Sequence, residues 1–308
     1  MSKTEKRPTT LIEAIRYFSD LDICTEFVAN LRWPSSPVCP RCGSVEHSYI
    51  STRRLWKCKA CKKQYSVKLG TIFEDSPLGL DKWLPAVWLI ANSKNGISSH
   101  ELGRSLGITQ KSAWFMLHRI RVAMQTKSFL LSGEVEVDET FIGGKARNMH
   151  KADRVRKISS TGGKDKTAVL GMIERGGTVK AEVVPNVRRD TIQPRVRESV
   201  KPGATVYTDA LKSYSGLEAD FAHATVDHAE CYVDGRVHTN GIENFWSLLK
   251  RGLHGTYVSV EPFHLFRYLD ERVFTFNLRD RSDYGRFEAV LGATVGRRLT
   301  FAEVTGQR

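Results

Sequence analysis

Four cysteines constrain the fold of this chain more than any other residues. Cys39-Pro-Arg-Cys42 and Cys58-Lys-Ala-Cys61 are two Cys-x-x-Cys turns, with fifteen residues from Gly43 to Lys57 between them. Each turn presents a pair of thiolates, and four thiolates complete the tetrahedral shell of a structural Zn²⁺, leaving no position open for substrate. Residues 48–52 and 54–58 read as a hairpin between the turns, and residues 65–68 as a further strand, so a small zinc ribbon is expected. No βαβ pattern surrounds the turns, which argues against redox use. The first residues, Met1-Ser-Lys-Thr-Glu-Lys-Arg-Pro8, are polar with no apolar run after them, so no secretory leader, no disulfides and a cytoplasmic location are expected. No run of about 18 apolar residues exists, so no membrane span is expected. Cys24 falls in a helical apolar pattern over residues 9–31 and reads as a small core residue.

Charge points to the partner. The formal net charge is +13, and residues 1–130 hold 20 Lys and Arg against 10 Asp and Glu, whereas residues 131–308 hold 27 against 24. Such asymmetry suits a polyanion at the first half, and only with the motifs below double-stranded DNA. Basic residues including Arg54 surround the cysteine turns and are candidates for phosphate contact. Residues 97–121 then read as helix, Gly107 turn, helix, with Thr109 as N-cap and Leu102, Leu106, Ile108, Ala113, Leu117 and Ile120 as a small core. That is a helix-turn-helix pattern, and it puts Gln110, Lys111, Ser112 and Trp114 at the exposed start of the second helix, where base edges are reached.

A second constellation is acidic. Glu134-Val-Glu-Val-Asp138 alternates apolar and acidic residues, the period of a strand with one buried face. Asp138 is expected near the strand end, with Glu136 on its face and Glu139 on the other. A second strand, Thr205 to Thr208, ends in Asp209. The segment His238-Thr-Asn-Gly-Ile-Glu243 leads into an amphipathic helix bearing Glu243 and, two turns on, Lys250. Asp138, Asp209 and Glu243 are therefore expected to converge on Mg²⁺ or Mn²⁺, since hard divalent cations take oxygen ligands. Two such ions activate a nucleophile and stabilise a leaving oxygen in phosphodiester chemistry. Simpler readings exist: Asp209 as N-cap of a helix from Leu211, Glu243 as capping-box partner of Asn240, His238 as a solvated loop residue. Lys145 opens a basic stretch to Lys166, expected to be a loop that holds phosphates.

Between these points, residues 167–173 and 179–184 read as strands that form an antiparallel meander with the Asp138 strand. A helix follows from Asp190, as its N-cap, to Val200, then the Asp209 strand, a short strand over 224–228 and the Glu243 helix. The order βββαβαβα is an α/β ribonuclease H-like layout. The expected organisation is an N-terminal helical segment (1–35), the zinc ribbon (36–76), the helix-turn-helix (77–128), the ribonuclease H-like domain (129–280) and a tail (281–308).

Val137-Asp-Glu-Thr-Phe-Ile-Gly-Gly-Lys145, Thr208-Asp209, the run from His238 to Gly252 and Gly255-Thr-Tyr257 resemble the bacterial insertion-sequence DDE transposases that carry an N-terminal zinc ribbon. Leu269-Asp-Glu-Arg272 and Phe276-Asn-Leu-Arg279 resemble that family's closing motif. The resemblance spans roughly residues 20–280. It implies that Asp138, Asp209 and Glu243 are the catalytic acids, with Lys250 the lysine one short interval after the Glu. It also implies transposon-end and target DNA as partners, a homodimer or larger assembly on DNA, and a nucleoid-associated location. Two rivals remain at this point: a DNA-binding regulator without catalysis, and a nuclease of the same fold that does not join strands.

Overall fold

The computed structural model describes residues 7–126, 128–144, 166–226 and 237–306. It divides into two compact units, Met1–Gln125 with Asp280–Arg308, and Thr126–Arg279.

The first unit opens with two short helices, α1 (Leu11–Tyr17) and α2 (Leu21–Arg32). Each has its own cap: Thr10 forms a capping box with Glu13, and Asp20 accepts from the backbone of Asp22 and Ile23. Cys24 is buried, its thiol donating to the Phe18 carbonyl at 3.2 Å. The ribbon is an antiparallel sheet of β1 (His47–Ile50), β2 (Leu55–Cys58) and β3 (Gln64–Tyr65). Trp56 fills its core, stacked on Tyr65 with ring centroids 6.0 Å apart and met edge-on by Trp33 at 5.3 Å. The helices α3 (Leu80–Asn92), α4 (Ser99–Leu106) and α5 (Gln110–Met124) follow. Gly107, at φ 65°, turns α4 into α5, and the Thr109 hydroxyl caps α5 by accepting from Ser112 N. Leu102, Leu106, Ala113, Leu117 and Ile120 are buried between them. Residues 280–308 join this unit: the helix Asp283–Gly292 sends Phe287 among Phe18, Phe27 and Trp88, and a last short helix covers Phe301–Thr305.

The second unit is a five-stranded mixed sheet with helices. Its elements are β4 (Glu134–Ile142), β5 (Thr167–Glu174), β6 (Val179–Val184), α6 (Arg189–Ser199), β7 (Thr205–Asp209), β8 (Ala222–Val226), α7 (Asn240–Gly252) and α8 (Leu265–Asn277). The strand order is β6-β5-β4-β7-β8. The first three strands are antiparallel, and β7 and β8 are parallel to β4 and to each other. Alternation fills both faces. Val135, Val137, Leu170 and Met172 pack with Ile192 and Val196 of α6, while Val169, Ile173 and Val179 pack with Ile242, Phe245 and Trp246 of α7 and Leu269 and Val273 of α8.

Several local expectations change. The strand read over 65–68 is only Gln64–Tyr65. Asp138 lies mid-strand, because β4 continues past it along β5 as far as Ile142 opposite Thr167. The helix α6 starts one residue ahead of Asp190 with Arg188 as N-cap; Asn186 Oδ1 accepts from Arg188 N and Thr191 Oγ1 and turns the chain early. The strand read over 224–228 starts two residues earlier, at Ala222, and is described as far as Val226; residues 227 and 228 lie outside the described residues. One topological detail positions the site. The parallel β4–β7 ladder ends at Glu136 opposite Tyr207, two residues short of Asp138. Beyond Glu136 the sheet therefore opens between β4 and the carboxyl end of β7, where the strand order reverses, the usual place for a cleft in such sheets.

Candidate active site and metal centres

Two sets of side chains have the chemistry to hold metal. The first is the cysteine set. Both turns end in a left-handed residue, Gly43 (φ 75°) and Lys62 (φ 61°), which swings the chain back so that both thiols of a turn point inward. All four sulfur atoms of Cys39, Cys42, Cys58 and Cys61 lie within 4.8 Å of one another. The cross-turn separations are 3.7 Å (Cys39–Cys61) and 3.6 Å (Cys42–Cys58). A tetrahedral Zn²⁺ with Zn–S bonds of about 2.3 Å requires sulfur–sulfur edges of about 3.8 Å, so the four residues fit zinc closely. The backbone N–H of Cys61 is the main influence that lowers the Cys58 thiol to about 6, while Cys42, which shares a hydrogen bond with it, is raised to about 11.

The second set lies at the opening between β4 and β7. A cavity of about 370 Å³ is lined by Asp138, Glu139, Thr140, Asp209, Glu243, Trp246, Ser247 and Lys250. Three elements supply its acids: β4 gives Asp138 and Glu139, the end of β7 gives Asp209, and the first turn of α7 gives Glu243. Asp138 Oδ2 accepts from Trp246 Nε1 at 2.9 Å. Asp209 Oδ1 accepts from Leu211 N at 3.1 Å, which makes a local turn and not a helix cap: the short helix Lys212–Tyr214 has Leu211 as its N-cap. Glu243 is bonded not to Asn240 but to Thr239, whose hydroxyl donates at 3.1 Å. Thr239, and not Asn240, is the N-cap of α7.

Crowding sets the electrostatics. Burial, reinforced by the charges of Asp209 and Glu243, raises the Asp138 carboxyl to about 6, against the hydrogen bond from Trp246. Burial likewise raises Glu139 to about 7, against the hydrogen bond from Tyr214 and with Asp209 and Asp138 adding to the rise. Glu139 was not expected here. It does lie on the opposite strand face, where Tyr214 OH donates to it at 2.6 Å. It still borders the cavity, because β7 no longer pairs with β4 at that height.

Every lining donor toward a cation is an oxygen, which suits Mg²⁺ or Mn²⁺. The carboxylates are nevertheless looser than the thiols. Among the described residues, the four cysteines are the one group of three or more His, Cys, Asp or Glu close enough to share a single ion.

Below the cavity a buried network fixes the start of α7. Glu136, 1% exposed, takes Arg175 Nε at 2.9 Å and Ile242 N at 3.0 Å, and His238 Nδ1 lies 3.3 Å away. Arg175 also reaches Glu134 at 3.3 Å and stacks on the Tyr207 ring at 4.1 Å. His238 thus belongs to this network and does not line the cavity.

The basic and polar candidates are distributed differently. Lys250 lines the acid cavity. Arg54 is held by Asp22 in a two-pronged ion pair at 2.6 and 3.3 Å. Lys111 sits 4.9 Å from the Phe301 ring, and Gln110 donates to Ser99 Oγ at 2.8 Å. Lys145 and the basic residues up to 165 lie outside the described residues, as does Cys231.

Comparison with known proteins follows the same two-part division. Residues 130–277 match the ISXO2-like transposase domain, and residues 21–64 match the transposase zinc-ribbon domain. The chain is 29% identical over 242 residues, 73% of its length and 81% of the relative's, to an uncharacterized protein in transposable element ISH50 of Halobacterium salinarum. It is 38% identical over 96 residues, 31% of its length and 77% of the relative's, to an uncharacterized transposase-like protein of Haemophilus influenzae. No helix among the described residues is long and apolar enough to cross a membrane.

Proposed function

This chain belongs to the insertion-sequence transposases that join a zinc ribbon to an ISXO2-like transposase domain, and from that premise we propose that it cuts and joins transposon DNA with the acid cavity of its second unit. The observation that carries the reading is the meeting of Asp138, Asp209 and Glu243 with Lys250 around one cavity, from three separate elements, at the switch point of the sheet. The strand order, with its antiparallel meander followed by two parallel strands, supports a ribonuclease H-like catalytic domain.

In this reading Asp138, Asp209 and Glu243 would hold the Mg²⁺ ions. Bound there, the ions activate the attacking oxygen and stabilise the leaving one. Water attacks the phosphodiester at a transposon end; the bond to the 3′ oxygen breaks, leaving a 3′-hydroxyl and a 5′-phosphate. That hydroxyl then attacks a target phosphodiester, forming a new 3′ ester as the target's own 3′ oxygen departs. Lys250, two helical turns from Glu243, holds a phosphate of the strand against the acids. Burial of Asp138 and Glu139 disfavours their charged forms, so a cation bound there would release to solvent the protons they still carry.

The first unit delivers the DNA. Its cysteines hold one Zn²⁺ as a structural tie, and α4–α5 acts as a helix-turn-helix with Gln110 and Lys111 at the start of the reading helix. Both residues have intramolecular partners, so reading bases requires them to exchange Ser99 and the Phe301 ring for DNA. Arg54, tied to Asp22, serves by shaping the ribbon edge rather than as a free cation. Two ends are joined in one event, so the working assembly is a homodimer or larger on DNA.

The test is Mg²⁺-dependent cleavage of end DNA and its joining to a plasmid, compared between the wild type and Asp209→Asn. Loss of both steps in the variant supports the proposal. Equal activity in both proteins rejects the site, and nicking without joined product turns the reading to a nuclease.

A further inference from the structure

Two hydrogen bonds tie β4 to α7. Glu136 accepts from Ile242 N at 3.0 Å, and Asp138 accepts from Trp246 Nε1 at 2.9 Å. Glu136 and Asp138 are two residues apart on one strand face, a rise of about 6.6 Å. Ile242 and Trp246 are four residues apart on one helix face, a rise of about 6.0 Å. The two spacings match, so strand and helix meet rung to rung. Glu243 lies beside the first rung and one turn before the second.

Glycines make both rungs possible. A Cβ on Gly241 would stand 2.8 Å from Glu136 Oε2. Gly171 is the β5 residue directly opposite Asp138. A Cβ there would stand 2.4 Å from two ring carbons of Trp246 and 2.8 Å from Ile242 Cδ1. The indole therefore lies on the bare backbone of Gly171, beside the carboxylate to which it donates. It is 4% exposed, and its N–H can only donate, so a buried acceptor has to be supplied.

We infer that Trp246 is a positioning residue: its N–H commits Asp138 Oδ2 to the protein and leaves Oδ1 for a cation, and Gly171 is glycine so that this ring fits. The inference rests on the proposed reading of Asp138 as a cation ligand. A ligand carboxylate held by an outer hydrogen bond loses about 10–100-fold in metal affinity when that bond is removed. Trp246 also sets the distance from Asp138 to the helix that carries Glu243, so it acts on two of the three acids at once.

The experiment measures Mn²⁺ affinity of the full zinc-loaded chain without DNA, by electron paramagnetic resonance. Trp246 is replaced by benzothienylalanine, which keeps the ring shape and puts sulfur where the N–H stood, and separately by Phe. The expected result is Mn²⁺ dissociation constants raised about 10–100-fold in both, with zinc content and end-DNA affinity unchanged. Gly171→Ala should raise the constant in the same direction by displacing the ring. If the Phe variant does not fold, the isosteric variant decides. An Mn²⁺ constant within twofold of wild type in the benzothienyl protein overturns the inference. Asp138→Asn separates the two levels of the argument: unchanged Mn²⁺ binding in that variant means that the ligand reading itself has failed.

Discussion

The cysteine cluster and the acid cavity are built in opposite ways. The cysteines lie in two turns of one small sheet, and local backbone alone brings Cys39 to within 3.7 Å of Cys61. The acids come from β4, β7 and α7, and they meet only after the whole sheet and its covering helix have formed. The thiols already stand at the spacing of a tetrahedral ion. The carboxylates stand around a cavity, with Asp138 and Glu139 raised to about 6 and about 7 by burial and mutual repulsion. The thiol spacing suits a structural ion complete when the ribbon folds, and on the proposed reading the wider acid cavity keeps room for substrate oxygens and water.

The largest expected effect breaks the first of the two sites. Cys58→Ser should lower zinc from one per chain to near zero and unfold the ribbon, because structural zinc contributes on the order of 10 kcal/mol to folding in comparable sites. The second unit should keep its own thermal transition, read by calorimetry. Stoichiometric zinc in the variant would break the contrast outright.

Next in size is the converse change. Asp209→Asn should leave zinc content intact and reduce strand cleavage by about 10³-fold, the equivalent of about 4 kcal/mol of lost cation stabilisation. Gel assays of end DNA in Mg²⁺ read this directly.

The third expectation concerns pH. In the folded chain Asp138 keeps its proton up to about 6, whereas its ordinary value is 3.8. The unfolded chain therefore releases that proton first, and stability falls as pH rises from about 4 to about 6. Glu139 extends the fall to about 7. In magnesium-free buffer at pH 8, Asp138→Asn should stabilise the second unit by about 1–3 kcal/mol, with no gain below pH 4. Added Mg²⁺ should cancel the difference. Thermal melts across pH check both signs.

The smallest effect belongs to Lys250→Ala. One phosphate contact fewer should lower the slope of log affinity against log salt by about 1, while zinc content stays unchanged. Fluorescence anisotropy over a salt series measures it.

How far the sequence discloses each region follows from the same difference. The ribbon is written in spacing: two Cys-x-x-Cys turns suffice to specify it, and its hairpin follows. The Gly107 turn and the Thr109 cap are equally local, and both are present. In the second unit the alternation of β4 discloses which residues face α7, and it does so correctly for Glu136 and Asp138, which bond to Ile242 and Trp246. Alternation alone does not reveal that Glu139 borders the same cavity, since that depends on where the β4–β7 ladder stops. Nor does it reveal that Thr239 rather than Asn240 caps α7, or that Asp22 occupies Arg54. Those outcomes depend on partners distant in sequence. The last helices were silent for a similar reason: Phe287 acquires meaning only from Phe18, Phe27 and Trp88.

The most direct test of the whole account is anomalous scattering from crystals of the zinc-loaded protein soaked in Mn²⁺. The account predicts a zinc signal at Cys39, Cys42, Cys58 and Cys61, and manganese between Asp138, Asp209 and Glu243. Manganese absent from the acid cavity, or bound on another face of the second unit, would contradict it.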